Sequence, residues 1–359
     1  MPANSTGGAE RMAFDIVDAI SGNFSVTLLF FLKGPGHSVP TGKNIRVEYL
    51  LGHKKRNTFD SIKLLFKLID ICRRHDIIIA GLELSTTYFS IVAARMARRP
   101  AIALSHTELL KWMKRDNHPD VHRFLSRIAY HLADRVVSVS ETVSDHLYWN
   151  FKVQKEKQRV IHNPLDIKRL KKLSRETPGW LPNGDRIIVA LGRLSPEKGF
   201  DILIQAAGQM VSKKLHLVIC GDGPWRYELE RLTKNQGNGI HIHFPGFLNN
   251  PYPLLNRAEV FAFPSRSEGF GIALAEAMAL GVPAVASRLP ATEELTENGS
   301  CALLVDIENP RALAKGLDQI LSDTGLRKKF IANGLGRAED FALSKISEEW
   351  KALIQEVCG

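Results

Sequence analysis

Short, almost wholly aliphatic runs alternate along the chain with longer stretches whose apolar positions recur at helical spacing. Asp76–Ala80, Ala101–Leu104, Arg135–Val139, Ile187–Ala190, Leu215–Cys220, Ile240–Phe244, Val260–Phe263 and Pro283–Ala286 read as buried strands. A strand that is apolar on both faces needs cover on both, and crossover helices between parallel strands supply it. The pattern predicts an α/β fold throughout. It breaks between Asn163 and Asp185, a polar stretch containing Pro, Gly and the cluster Lys168, Arg169, Lys171 and Lys172, and then restarts. That break reads as a domain junction, and the basic cluster as a solvated helix face.

With 359 residues the chain exceeds one ordinary core and suits two domains of roughly 150–200 residues each. The expected division is an N-terminal doubly wound domain over 1–164, a second over 165–340, and a terminal helix over 341–359 packing back on the first. No repeat or low-complexity tract interrupts it. The start is anomalous. Met1 to Gly8 is a loop of small residues leading into a helix from about Ala9 to Ile20, and no strand precedes it. Either the sheet lacks its first strand or the recorded start falls too late.

Charge then narrows the partners. The formal net charge is +10, and residues 1–160 hold 24 Lys+Arg against 15 Asp+Glu, so nearly all of the excess sits in the N-terminal half. A one-sided positive field suits nucleic acid, an acidic membrane surface or a phosphate-bearing substrate, unless it is a solubility surplus. Basic and aromatic residues do not interleave as base-stacking surfaces require, which argues against nucleic acid. Cys72, Cys220, Cys301 and Cys358 form no metal-ligand or redox spacing and read as free thiols in a reducing compartment. No apolar run approaches the roughly 18 residues of a membrane span, and no signal peptide is evident. The expected location is cytoplasmic, with any membrane contact peripheral.

The densest chemical signal is Pro264-Ser-Arg-Ser-Glu-Gly-Phe-Gly-Ile-Ala-Leu-Ala-Glu276, which follows a strand and must turn from loop to helix near Gly271. Glu268 then sits at the helix mouth and Glu276 about a turn and a half inside. Gly269 and Gly271 let the backbone approach a ligand, and the helix N-terminus offers unpaired N–H groups to an anion. A carboxylate just inside such a helix can take both hydroxyls of a ribose; taken alone, either glutamate could equally be an ordinary surface or helix-interior residue. A second signal, Gly192-Arg193-Leu-Ser-Pro-Glu-Lys198-Gly199, follows the strand Ile187–Ala190. It puts two cations where open α/β sheets bind ligands, and Arg193 and Lys198 could neutralise a diphosphate. A solvated basic turn is the plainer reading, better suited to Lys198 than to Arg193. Gly221-Asp-Gly223 is a weak match to a nucleotide loop.

Together these motifs resemble the retaining glycosyltransferases of family 4, the group 1 glycosyl transferases, over nearly the whole chain. The likeness is closest to enzymes that extend lipid-linked envelope glycans. It is also carried by Gly7-Gly8-Ala9-Glu10-Arg11, Ala103-Leu-Ser-His106, Ala133-Asp-Arg-Val-Val-Ser-Val-Ser140 and Asn163-Pro164. The resemblance implies the GT-B fold, two Rossmann-like doubly wound domains facing across a cleft. It implies transfer of a hexose or N-acetylhexosamine, with retention at the anomeric carbon, from a nucleoside-diphosphate sugar, UDP by family habit, to a polyprenyl-diphosphate-linked or oligosaccharide acceptor.

On that likeness Glu276 would bind the ribose and Arg193 with Lys198 the diphosphate, while Glu268 would lie beside the transferred sugar. The backbone at Gly269, Phe270 and Gly271 would hold sugar or phosphate oxygens, and Phe247 and Leu248 would face the base. His106, which could equally be a buried core histidine, would reach the sugar from the opposite lobe, and Gly8 would let the first loop approach the phosphates. No metal or cofactor is expected, since the nucleotide sugar is a substrate and the chain has no Asp-x-Asp pair or clustered ligands. An anionic membrane surface would meet Lys54, Lys55, Arg56, Lys111, Lys114 and Arg115, with Leu109, Leu110, Trp112 and Met113 dipping into the interface; a helix with one buried face reads equally well there. Two alternatives stand beside this. A nucleotide-dependent oxidoreductase would need a Gly-x-Gly-x-x-Gly turn that is not in place, and a glycosyltransferase-like scaffold without activity would keep the fold and fail to bind donor.

Overall fold

The computed structural model describes residues 8–32, 40, 42–51, 58–113, 118–178, 180, 186–234 and 239–359. The chain divides into two compact units, Met1–Pro164 with Leu343–Gly359, and Leu165–Ala342.

In the first unit β1 (Val26–Leu32) pairs with β2 (Ile45–Leu51), and β3 (Ile78–Ala80), β4 (Ala101–Ser105), β5 (Arg135–Ser138) and β6 (Gln158–Val160) form a second ladder in that order. All of these pairs are parallel. The pleat explains the continuous apolar run of β4. Ala101 and Ala103 face a core that includes Leu64, Ile91 and Ala129, from the helices Thr58–Arg73, Ser85–Met96 and Pro119–Leu132. Ile102 and Leu104 face the opposite core with Ile16 and Ile20 of the helix Gly8–Ile20 and with Ile346, Trp350, Leu353 and Ile354 of the terminal helix Leu343–Cys358. The terminal helix is therefore part of the first unit's second layer, and Arg135 ties it down through an ion pair to Glu356 at 2.5 Å. Among the described residues no ladder joins β1 to β3.

The second unit holds one six-stranded parallel sheet. Its strands are β7 (Ile187–Leu191), β8 (Leu215–Cys220), β9 (Ile240–His243), β10 (Val260–Phe263), β11 (Ala284–Ser287) and β12 (Leu303–Val305), in the spatial order β12-β11-β10-β7-β8-β9. β7, first in sequence, lies mid-sheet with all five residues buried. The chain builds outward through β8 and β9, then crosses back to lay β10 on the other side of β7. The loops leaving β7 and β10 therefore depart in opposite directions. Such a topological switch point is where doubly wound sheets leave a crevice at the carboxyl ends of their strands.

Candidate functional site

Both chemically dense motifs open onto that switch point. Gly192–Gly199 leaves the end of β7, makes a 3₁₀ turn over Pro196–Lys198 and enters the helix Phe200–Gln209 through Gly199 in the left-handed region, φ 63°. Pro264–Gly271 leaves the end of β10 and enters the helix Ile272–Ala279 through Gly271, φ 100°. Across the gap Lys198 Nζ lies 2.6 Å from Glu268 Oε1, and Ser265 Oγ donates to the same oxygen at 2.6 Å. The ammonium also sits 5.9 Å from the centre of the Phe263 ring.

A second set of contacts holds the two loops in register. The Arg266 amide donates to Glu197 O at 2.8 Å, and its guanidinium reaches both carboxylate oxygens of Asp201 at 2.8 and 2.7 Å and the Pro196 carbonyl at 2.6 Å. Hydrogen bonding to Asp201 raises the Arg266 pKa further above its ordinary value, so this clamp stays charged at any working pH. Its planar fork fits the carboxylate bidentately, which fixes angle as well as distance. A Cβ on Gly199 would stand 2.1 Å from the Pro264 carbonyl oxygen. Gly199→Ala is therefore expected to destabilise the protein by about 2–3 kcal/mol, combining left-handed strain with forced separation of the loops. Urea unfolding checks it, and an unchanged midpoint would contradict the close approach.

Glu276 is the fifth residue of the helix Ile272–Ala279 and only 7% exposed, and its Oε1 accepts a hydrogen bond from the buried Tyr252 hydroxyl at 2.7 Å. The tyrosine fixes the plane of a carboxylate that can accept from paired hydroxyls. Arg193, by contrast, is exposed, and its guanidinium makes no hydrogen bond or ion pair among the described residues. Its backbone is fixed all the same. The Gly192 amide donates to Cys220 O, the Leu194 amide to Asp222 O and the Trp225 amide to Leu194 O, each at 3.0 Å.

That lacing accounts for Gly221-Asp-Gly223 without a ligand. A Cβ on Gly221 would lie 1.9 Å from Gly192 O and one on Gly223 2.4 Å from Leu194 O. The Gly221 amide in turn donates to Gly246 O at 3.0 Å, which brings the exposed Phe247 and half-buried Leu248 to the same edge of the sheet. Gly269 and Phe270 are buried, and the Phe270 ring packs edge-on against Phe341 with centroids 5.2 Å apart. Its side chain belongs to the core, so a ligand would meet its backbone.

The structure thus brings Arg193, Lys198, Phe247, Leu248, Glu268, Gly269, Phe270, Gly271 and Glu276 to one edge of one sheet. The remaining residues belong to the first unit. His106 follows β4 and is buried, with Nε2 3.0 Å from Gly81 O and Nδ1 without a partner. A carbonyl partner requires the proton on Nε2, which leaves Nδ1 as an unused acceptor turned into the protein. Glu83 Oε1 accepts from the amides of His106, at 2.5 Å, and Thr107, at 3.0 Å, and so fixes the loop that carries the imidazole. Gly8 is the first residue of the helix Gly8–Ile20, and the loop before it lies outside the described residues.

One expectation is corrected. Leu109 and Met113, read as dipping into a membrane interface, are buried in the first unit's core, and Leu110 packs against it. The helix Leu109–Met113 has five residues, too few for periodicity to show which side turns inward. Lys111 pairs with Glu108; Lys54, Lys55, Arg56, Lys114 and Arg115, and the Trp112 side chain, lie outside the described residues. The sequence reading also missed Tyr252, Asp201, Arg266 and Glu83. Of these only Arg266 stood inside a motif, and nothing in its spacing marks a partner on another loop.

The family profile described as glycosyl transferases group 1 matches residues 176–337, and that described as glycosyltransferase family 4 matches residues 6–169. An N-acetylgalactosamine-N,N'-diacetylbacillosaminyl-diphospho-undecaprenol 4-alpha-N-acetylgalactosaminyltransferase of Campylobacter jejuni is 27% identical over 353 residues, covering 96% of this chain and 95% of the relative. Among solved structures, Anabaena HepE in complex with UDP-glucose superposes with a TM-score of 0.80 at 21% identity, over 99% of this chain and 98% of that one. WaaG, a glycosyltransferase involved in lipopolysaccharide biosynthesis, gives 0.74 at 14% identity over 99% and 98%.

Proposed function

Because the chain belongs to the group 1 glycosyl transferases of glycosyltransferase family 4 and has the GT-B fold of two doubly wound α/β domains, we propose that it moves a hexose or N-acetylhexosamine from a UDP-sugar to a growing, polyprenyl-diphosphate-linked envelope glycan. The observation that carries this reading is the Lys198–Glu268 contact at 2.6 Å across the switch point between β7 and β10. It sets a cation and a carboxylate where a nucleotide sugar's diphosphate and sugar would meet. Support for UDP comes from HepE, captured with UDP-glucose, and support for the lipid-linked acceptor from the Campylobacter relative's undecaprenol substrate. The basic N-terminal half suits such an acceptor at the inner face of the cytoplasmic membrane. Among the described residues no helix is long and apolar enough to cross a membrane.

In this reading the diphosphate lies against Arg193, Lys198 and the first-turn amides of the helix Ile272–Ala279, and the ribose hydroxyls donate to Glu276. The acceptor hydroxyl attacks the anomeric carbon from the face the diphosphate leaves. The new C–O bond forms as the bond to the β-phosphate oxygen breaks, and the hydroxyl proton passes to a donor phosphate oxygen. Configuration is retained. Negative charge grows on the departing diphosphate, where Lys198, held by Glu268, would meet it with little reorganisation and the untethered Arg193 guanidinium would close onto it. Glu268 lies beside the transferred sugar. His106 takes part only if its ring rotates to expose Nδ1 or releases the Gly81 carbonyl.

The test is a screen of nucleotide sugars with a lipid-linked acceptor, read by nucleoside diphosphate release and by the anomeric configuration of the product. UDP should be released from a UDP-sugar with retained configuration, and donor should raise the melting temperature, which an inactive scaffold would not show. Excess EDTA should change the rate by less than about twofold, since side chains and amides supply the positive charge. A strict manganese requirement, or inversion, would remove this mechanism.

A further inference from the structure

The helix Pro119–Leu132 presents three faces where a surface helix ordinarily has two. Ser126, Ala129 and Tyr130 are buried against the first unit. Asp120, Arg123, Arg127 and His131 are exposed on a polar face. Between these, Val121, Phe124, Leu125, Ile128 and Leu132 are all exposed, Val121 by 55% and Phe124 by 63%. Their spacing sets them in one stripe, about 100° wide and about 17 Å long on a regular helix. Scattered exposed apolar residues need no account, but a continuous stripe does. Met96, 54% exposed, ends the neighbouring helix, whose Arg95 donates to Leu132 O at 2.5 Å.

The surroundings are basic. Just past Leu132 a pocket of about 530 Å³ is lined by Arg95, Arg98, Arg99 and Arg135 against Asp134 and Glu356. The Arg98 side chain has no hydrogen bond or ion pair among the described residues. We propose that this stripe is where the protein lies on an anionic lipid bilayer, with the apolar side chains in the interface, Arg123 and Arg127 among the headgroups, and the arginine pocket taking a headgroup phosphate. An amphipathic helix seats in this way when apolar burial and attraction to anionic lipid act together. A second copy of the chain fits less well in the antiparallel two-fold pairing through the stripe, because it would bring the arginine rows of both copies together. The proposal rests on the reading that the acceptor is lipid-linked.

Flotation of the full chain tests it, using phosphatidylcholine vesicles and vesicles enriched in phosphatidylglycerol, while the UDP-dependent rise in melting temperature is followed in parallel. The wild type should float with anionic vesicles, and less so at high salt. Phe124→Asp/Ile128→Asp and Arg123→Glu/Arg127→Glu should each lower binding at least about tenfold with the UDP response intact. Full retention of binding by the apolar double variant, or wild-type binding indifferent to both lipid charge and salt, overturns the proposal. So does a wild type that ignores vesicles but is a dimer, converted to monomer by the apolar substitutions. Vesicle binding with no response to UDP would instead count against the catalytic reading and leave this surface standing.

Discussion

Lys198→Ala should lower kcat/KM for the UDP-sugar by about 10²- to 10³-fold, the usual loss when one preorganised donor to a developing oxyanion is removed. The reasoning starts from the position of Lys198 at the end of a rigid 3₁₀ turn, held by Glu268 at 2.6 Å and by loops that Arg266 and Asp201 lock together. A cation held in advance spends no reorganisation when charge appears on the leaving diphosphate. The loss should fall mainly on kcat, because the interaction strengthens as the sugar–phosphate bond breaks. The substitution removes one ion pair, but Ser265 continues to donate to Glu268, and the Arg266–Asp201 clamp still joins the two loops. Melting should therefore stay near wild type. An inactive but fully folded Lys198→Ala agrees with this account, and a variant with wild-type kcat refutes the role.

Glu276→Gln should weaken donor use through the ribose. Hydrogen bonds to a charged acceptor contribute about 1.5–3 kcal/mol each, so losing the charge and converting one oxygen to an amide should reduce kcat/KM by about 10²-fold. The signature is selective. The wild type should discriminate sharply against a 2′-deoxy nucleotide sugar, since that donor lacks one of the two hydroxyls proposed to donate to the buried carboxylate, and Glu276→Gln should lose most of that discrimination. Tyr252→Phe should lie between the two, because the hydroxyl at 2.7 Å orients the carboxylate without touching the donor. Equal preference for ribose and deoxyribose in the wild type would remove Glu276 from the nucleotide site.

What could be read from the sequence follows from burial geometry. β4, β5, β7, β8 and β10 were legible because strands covered on both faces must be apolar throughout, as the two cores on either side of β4 demonstrate. β6 and β12, three-residue edges, were not; β3, an edge of the same length, was read only as part of the longer run Asp76–Ala80. β1, Val-Thr-Leu-Leu-Phe-Phe-Leu, is an apolar run that length alone does not separate from a buried helix. The placement of Arg193, Lys198, Glu268 and Glu276 at the carboxyl edge of the sheet was legible because the first three stand in loops that follow strands and Glu276 lies in the second turn of the helix after one of those loops. Their mutual contacts were not. The Lys198–Glu268 pair depends on β10 lying beside β7, a strand order that no local pattern encodes, and the Arg266 clamp on Asp201 depends on it too. The lipid-facing assignment failed at Leu109 and Met113 for the same reason. Amphipathicity says that a helix has two sides and leaves open which one the fold covers, and the helix Pro119–Leu132 shows its exposed stripe only once packed.

The central claim is that the crevice between β7 and β10 holds the donor diphosphate, and a crystal structure with UDP bound tests it most directly. The account predicts the β-phosphate within hydrogen-bond distance of Lys198 Nζ and of the first-turn amides of the helix Ile272–Ala279, with both ribose hydroxyls on Glu276 and the uracil near Phe247 and Leu248. UDP bound elsewhere, with no phosphate oxygen within hydrogen-bond distance of Lys198 and no ribose hydroxyl on Glu276, would contradict it.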